Sequence, residues 1–432
     1  MKRWAIGLIL LLGVLCVVGI GFAYVKMQKP IVLELGMFTG SNWGVASEDS
    51  YKIVDRAIAK FEASHPGVRV HYYSGIRKVD YSEWYAEQVL LGKAPDCAMI
   101  LREDFNQLAA IGALKDLGPL LTVKKEDFFA SSYRAGQYKG KQYGIPYEVN
   151  PMVMAVNKTL LEKKNIKIPN YDWTWNDFYS ICRSITEDVD GDGVIDTFGM
   201  CDYGWKEAFA STGGSLFDSE GRHSFFADQK VSDSVRFMQR FWELNQGQKL
   251  TQDDFDMGKV AFMPLSFAEY KTYTSYPYKI NKYMDYQCGI LTMPSGGGGD
   301  PISEVNVLLM GISAKTKHER LAVELLEMFT HDEEIQMDIY RYSQGASPLE
   351  KVTASEEIPK ILETKMENND KQFNGQLLYD VLSNGVTFPK FRKYNECMAL
   401  ADSAINSIIE GEKDVDSNLK LLQREIQSNL DN

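Results

Sequence analysis

The sequence has no block of lysine and arginine. Basic side chains number 47 against 59 acidic ones, a formal charge of −12, and because nucleic-acid binding needs a clustered basic face that class of partner is excluded. Five histidines (His65, His71, His223, His318, His331) are dispersed without the HExxH spacing of a zinc protease, and no Gly-x-Ser-x-Gly elbow occurs. Cysteines are few. Apart from Cys16 there are Cys97, Cys182, Cys201, Cys288 and Cys397, an odd number without metal-finger spacing, so no disulfide framework is implied. Cys182 and Cys201 are the one pair close in sequence, and a buried free thiol is the commoner fate of such residues. Ser295–Gly299 carries four consecutive glycines but is followed by Asp300-Pro301 instead of Lys-Ser/Thr, which makes it a flexible surface loop and not a phosphate loop. No repeat, long linker or disordered stretch interrupts a chain that is 44% hydrophobic, 25% charged and 12% aromatic.

One long apolar run is present. Lys2 and Arg3 precede an uncharged segment from Trp4 to Val25, long enough at about 20 residues to cross a bilayer as a helix, with the basic pair on the cytoplasmic side. The segment reads as an uncleaved signal anchor, as a secretory signal cut at Gly21-Phe22-Ala23, or as a lipoprotein signal acylated at Cys16. The bulky Leu15 before that cysteine disfavours the lipoprotein reading, and the anchor is preferred. Each reading places the remaining chain outside the membrane, and about 400 residues suit two domains.

Periodicity sets out α/β architecture. Ile31 to Met37 reads as a buried strand, Asp49 to Ser64 as a helix with Val54, Ala57, Ile58 and Phe61 on one face, and Val68 to Tyr73 as a second strand, a unit that implies a parallel pair. Further strands are expected at Cys97 to Ile100, Met152 to Val156, Asp196 to Met200, Val260 to Met263, Gly289 to Met293 and Val305 to Ser313. Helices are expected at Ser82 to Leu91, Phe105 to Ile111, Trp175 to Ile185, Val231 to Asn245, Lys317 to Thr330 and Glu333 to Tyr342, and after Pro389. Val415, Leu419, Leu422 and Ile426 form a helical stripe that should pack on a core.

No catalytic set stands out, so the chain is read as a non-enzyme; two carboxylates meeting across a cleft, as in a glycosidase, cannot be placed from sequence. The sharpest local motif is Asp188-Val-Asp190-Gly-Asp192-Gly193-Val-Ile-Asp196. Carboxylates at alternate positions with a glycine at the sixth resemble the first half of a calcium loop, although Gly199 stands where the bidentate glutamate belongs. No cofactor is required, and a structural calcium held by Asp188, Asp190, Asp192 and Asp196 is the one metal expectation. Aromatic residues near strand ends, Trp43, Trp205, Phe267 and Tyr270, offer flat faces on which sugar rings stack.

The order Phe61…His65-Pro66-Gly67-Val68, Leu91-Gly92-Lys93-Ala94-Pro95-Asp96, Tyr143-Gly144-Ile145-Pro146-Tyr147-Glu148…Asn157-Lys158, Trp173-Thr174-Trp175, Asp190-Gly-Asp192-Gly193, Gly213-Gly214, Gly258-Lys-Val-Ala261-Phe262, Gly311-Ile312-Ser313 and Gly345-Ala-Ser-Pro348 resembles the extracellular solute-binding proteins of ABC importers. It is most similar to family 1, the carbohydrate-binding group that includes maltose-binding protein. The resemblance implies a two-lobed, periplasmic-binding-protein-like α/β fold of type II, with mixed sheets flanked by helices behind an N-terminal membrane helix. Residues 1–29 would be the anchor or signal, 30–146 and 307–347 the first lobe, and 147–306 and 348–432 the second. The chain would cross between lobes near Tyr147-Val149, Glu304-Val307 and Ser347-Glu350.

The same resemblance implies a monomer that captures a sugar or oligosaccharide in the interlobe cleft, closes on it and delivers it to a membrane permease. It offers Thr39, Asn42, Trp43, Arg102, Glu103, Tyr147 and Glu148 from the first lobe and first crossing, and Trp205, Phe267, Tyr270 and Tyr394 from the second lobe. Where the family usually has Gly-Ser-Trp, this sequence reads Leu265-Ser266-Phe267-Ala268, which leaves non-sugar solutes open. A sensor of the same fold feeding a membrane receptor is the alternative role, and a glycoside hydrolase a more distant one.

Overall fold

A computed structural model of the protein describes residues 30–46, 51–274, 286–365, 375–411 and 413–431. The expected membrane segment, and Asp49 at the expected start of the first helix, lie outside them. No described helix is long and apolar enough to cross a membrane.

The chain begins as expected with β1 (Ile31–Gly36), α1 (Lys52–Ser64) and β2 (Val68–Tyr72), and β1 pairs with β2 in parallel from Ile31↔Val68 to Leu35↔Tyr72. α1 buries Ile53, Val54, Ala57 and Phe61, one face of a 3.6-residue period laid on the sheet. α2 (Lys78–Leu90), β3 (Cys97–Ile100) and α3 (Arg102–Ala110) follow, and β3 lies parallel to β1 on its other side.

The next strand decides the architecture. A five-residue strand is expected at Met152 to Val156, yet β4 runs from Ile145 to Asn157 and is buried along nearly its whole length. Such a strand is covered on both faces, so it lacks the alternation that marks a half-exposed one. Its first half pairs antiparallel with β8 (Val305–Ile312), with a register shift at Leu308/Leu309 opposite Pro146 and Glu148. That bulge accommodates a proline inside the sheet. Its second half pairs with β6 (Val260–Ser266) on one edge and β7 (Cys288–Leu291) on the other. β6 is also flanked in parallel by β5 (Phe198–Met200). Among the described residues the sheet therefore reads β2-β1-β3-β8-β4-β6-β5, with β7 beside β4.

Helices cover both halves. In the second half, α4 (Lys158–Lys163) is capped by Asn157, whose side chain accepts from Leu160 N at 2.9 Å, and α5 (Trp175–Ile185) starts on a Thr174/Asp177 capping box. α6 (Trp205–Ala210), α7 (Gln229–Leu244) and α8 (Phe267–Thr274) follow. α9 (Glu319–Thr330) and α10 (Glu333–Tyr342) return to the first half, α11 (Glu357–Lys365) and α12 (Gly375–Ser383) stay there, and α13 (Tyr394–Glu410) and α14 (Val415–Asp431) close the second. The α14 stripe Val415, Leu419, Leu422 and Ile426 is buried in the second core cluster, each side chain contributing about 1.5–3 kcal/mol by leaving water.

Apolar packing forms two clusters. One joins β1, β3, β8, α1 and α9 and continues onto β6 through Val260, Met263 and Leu265; the other joins α5, α7, α13 and α14. Beyond the third crossing, expected at Ser347–Glu350, Val352, Ile358, Leu362, Leu377 and Leu382 all belong to the first cluster, and near Val386 the backbone joins that of Ser303 and Val305. Nothing local in the sequence distinguishes a helix bound for one lobe from one bound for the other. Cys97, Cys182, Cys201 and Cys397 are free thiols.

Candidate functional site

A cavity of about 590 Å³ opens where the two halves face one another. The first half supplies Asn42, Trp43 and Gly44 from the loop after β1, Lys78 at the start of α2, and Arg102 and Glu103 at the start of α3. The crossing strands supply Asn150, Met152, Asn306 and Val307, and the second half Ser266, Glu269, Lys390 and Asn395. Four amides and five charged groups line it, with one aromatic, Trp43.

Trp43 is held from behind. Its indole Nε1 donates to Glu148 Oε1 at 2.9 Å, and the same oxygen accepts from Ser343 Oγ at 2.5 Å and from Gly345 N at 2.7 Å. Glu148 is only 4% exposed, and desolvation pushes its carboxyl above the usual range against the opposing pull of these donors. Gly345 is required there: a Cβ would lie 2.4 Å from Glu148 Oε1 and 2.8 Å from Trp43 Nε1. Glu148, Asn150 and Met152 share one face of β4 by the period of two, but Trp43 covers the first and leaves the other two to the cavity. Expected as a direct ligand, Glu148 holds Trp43 through Oε1 and lines a smaller recess beside Asn42 instead of this cavity.

Asn150 ties the crossing strand to the second half. Its Oδ1 accepts from Ala268 N at 2.9 Å, while Glu269 caps Ser266 N at 2.6 Å and Ser266 Oγ accepts from Glu269 N at 3.3 Å. The pattern Ser266-x-x-Glu269 is a capping box legible in the sequence. Arg102 spans the halves, donating to the carbonyls of Ala135 and, at 3.2 Å, Phe388. Burial lowers its guanidinium to about 10.

Of the expected ligand residues, the structure gathers Asn42, Trp43, Arg102 and Glu103 on the cavity wall. The others lie elsewhere. Thr39 sits at the β1 exit, its backbone N bonded to Ile76 O at 2.7 Å. Tyr147 is buried edge-on to Phe329, on the opposite face of β4 from Asn150. Trp205 is 2% exposed and gives its Nε1 to Asp402 at 3.0 Å beside a separate cavity of about 420 Å³. Phe267 is fully buried in the core, and Tyr270 lines another cavity of about 460 Å³ on β7 and α4. Tyr394 stays half-buried next to the cleft, with Lys390 Nζ 3.9 Å above its ring. Proximity to a strand end selected these aromatics, whereas burial decides which way they face.

In the aspartate loop, Asp188, Asp190 and Asp196 each bring a carboxylate oxygen within 4.8 Å of the others, without Asp192. Asp188 accepts from Gly191 N and Gly193 N, both at 2.7 Å, Asp190 from Asp192 N at 3.1 Å, Asp192 from Val194 N at 2.8 Å, and Asp196 from Val189 N at 2.8 Å. These bonds hold the exposed loop together and draw the Asp188 carboxyl below its usual range.

Solved structures share this fold across nearly the whole chain. The cyclic alpha-maltosyl-1,6-maltose binding protein from Arthrobacter globiformis is 14% identical with a TM-score of 0.76, covering 93% of this chain and 99% of its own. The sugar-binding protein MalE from Xanthomonas citri is also 14% identical, with a TM-score of 0.73 over 92% of this chain and 97% of its own. The ABC substrate-binding protein Lmo0181 from Listeria monocytogenes, solved in complex with cycloalternan, is 18% identical with a TM-score of 0.65 over 93% and 99%. A curated relative, an uncharacterized lipoprotein in the oleD 5′ region of Streptomyces antibioticus, is 25% identical over 309 residues, which take in 65% of this chain and 63% of that relative's length. The family profile described as bacterial extracellular solute-binding protein matches residues 56–364. That span contains β4, β8 and most of the cavity wall, and the chain belongs to the bacterial extracellular solute-binding proteins.

Proposed function

We propose that the protein captures a carbohydrate in the cavity between its lobes and presents it to an ABC permease. The observation that carries this reading is the position and lining of the cavity. It lies across the two strands that pass between halves, and its amides and charged groups match the dense hydroxyl pattern of a sugar, with the Trp43 ring as the one flat apolar face. The cyclic-maltosyl-maltose and cycloalternan proteins of the same fold support it. Ligand contacts to both lobes would favour the closed form, since a ligand shifts a conformational equilibrium only by its differential affinity. An N-terminal tether fits the lipoprotein relative and would keep the protein at high local concentration beside its permease.

A carbohydrate panel tests the reading. Binding should raise the melting temperature and reduce the radius of gyration in solution scattering, and a broad panel that produces neither refutes it. A structural calcium on Asp188, Asp190 and Asp196 belongs to the same proposal, with the loop supplying hard oxygen ligands.

A further inference from the structure

Three basic side chains on the cavity wall share an unusual condition. Lys78, Arg102 and Lys390 all line the cleft, and for each of them burial is the largest influence on the charge, lowering the affinity for its proton. None has a carboxylate within ion-pair distance among the described residues. Lys78 gives its Nζ to the carbonyl of Asn42, Arg102 bonds the carbonyls of Ala135 and Phe388, and Lys390 rests on the Tyr394 ring. Neutral partners satisfy hydrogen bonds without compensating charge, and a desolvated cation without a counter-ion is costly.

The acidic groups nearby form no direct pair with these cations. Glu269 is committed to the Ser266 backbone at 2.6 Å. Glu103 is exposed and acts on all three cations only through space, and Glu304 acts likewise on Lys390. The wall thus carries three cations beside the carboxylates of Glu103 and Glu269, and among the described residues no ion pair joins any of the cations to either. Lys78 and Arg102 stand at the first turns of α2 and α3, which also carry Asp80 in α2 and Glu103 and Asp104 in α3.

Building on the proposed carbohydrate capture, we infer that the ligand is an acidic sugar whose carboxylate is held between Arg102 of the first lobe and Lys390 of the second. The ligand anion then supplies the missing counter-charge and bridges the lobes, so that binding and closure are coupled through one group. Neutral oligosaccharides of the same length fill the cavity but leave the cations unpaired.

The test is calorimetric titration of the whole protein with trimers of galacturonate, glucuronate, mannuronate and guluronate, each beside its carboxyl-reduced neutral counterpart, with maltotriose and a sulfated trisaccharide included. One uronate trimer is expected to bind at least tenfold more tightly than its reduced counterpart, with the preference shrinking as sodium chloride rises from 20 to 200 mM. Lys390→Met should abolish the preference and Lys390→Arg restore it, with unchanged melting curves showing that both variants fold. Equal or tighter binding of the neutral counterparts or maltotriose overturns the acidic-sugar inference while leaving carbohydrate capture standing. Preference for the sulfated trimer overturns the carboxylate assignment. No binding by any member overturns both readings.

Discussion

Glu148 is a buried carboxylate whose one oxygen gathers three donors, so removing it has a calculable effect. Glu148→Ala orphans Trp43 Nε1, Ser343 Oγ and Gly345 N, which now lie 2.9, 2.5 and 2.7 Å from Oε1. A buried donor left unpaired costs about 1–3 kcal/mol. Trp43 and Ser343 are half-buried and can turn to water, so the expected loss is about 3 kcal/mol and not the full sum. Glu148→Gln retains an acceptor in the same place and should lie within about 1 kcal/mol of the parent at pH 7. The pH dependence separates charge from shape. Desolvation raises the folded carboxyl above its unfolded value, so between the two the folded state binds more protons. The associated stability is complete below the unfolded value of about 4.3 and is lost as pH climbs through the folded one. Glutamine cannot ionise, so the advantage of the parent over Glu148→Gln should decline across that window. Urea denaturation followed by circular dichroism from pH 4 to 8 measures both effects, and a cycle with Trp43→Phe isolates the indole bond. An alanine variant losing less than about 1 kcal/mol, or a parent advantage that grows with pH, would refute the reasoning.

Other perturbations probe separate parts of the molecule. Gly345→Ala places a methyl 2.4 Å from Glu148 Oε1 and should cost about 1–3 kcal/mol by overpacking, with ligand affinity falling as Trp43 is displaced; unchanged stability and affinity would show that the turn yields freely. Trp205→Phe loses the bond to Asp402 and should lower stability by about 1 kcal/mol without altering sugar affinity in titration, because Trp205 lies outside the cleft. Ile426→Ala opens a hole under α14, where Ile426 is fully buried, and should cost about 2–5 kcal/mol in denaturant unfolding. Millimolar calcium should raise the melting temperature, and a paired Asp188→Ala, Asp190→Ala variant should lose that increment; identical calcium responses would remove the metal from the loop.

Much of the scaffold was legible because its signals are local. α5 and α10 start and end where expected, since Thr174 with Asp177, and Asp332 at Ile335 N, cap their first turns. The α14 stripe follows from spacing alone. The extension of β4 did not, because a strand covered on both faces carries no alternation and includes Pro146. The destination of α11 and α12 was equally hidden, being set by which distant helices leave space for Leu362 and Leu377. At the site, Asn42, Trp43, Arg102 and Glu103 were reachable as the residues following β1 and β3, where open α/β sheets place ligands. Lys390 and Asn395 come from far along the chain with no motif around them, and the abundant aromatics drew notice that burial in the core does not support.

β8 has a consequence for how the protein is made. It lies between β3 and β4 in the sheet, yet it is Val305–Ile312, translated long after both. A nascent chain that has emerged only as far as β7 holds β3 and β4 with a vacant lane between them, and two unpaired edges face it. The N-terminal lobe cannot finish its sheet until nearly three quarters of the polypeptide is available, so the usual order in which the first-synthesised domain folds first is suspended. Pairing over such separations is slow, and the delay gives an exported protein an interval in which it is still thin enough to thread.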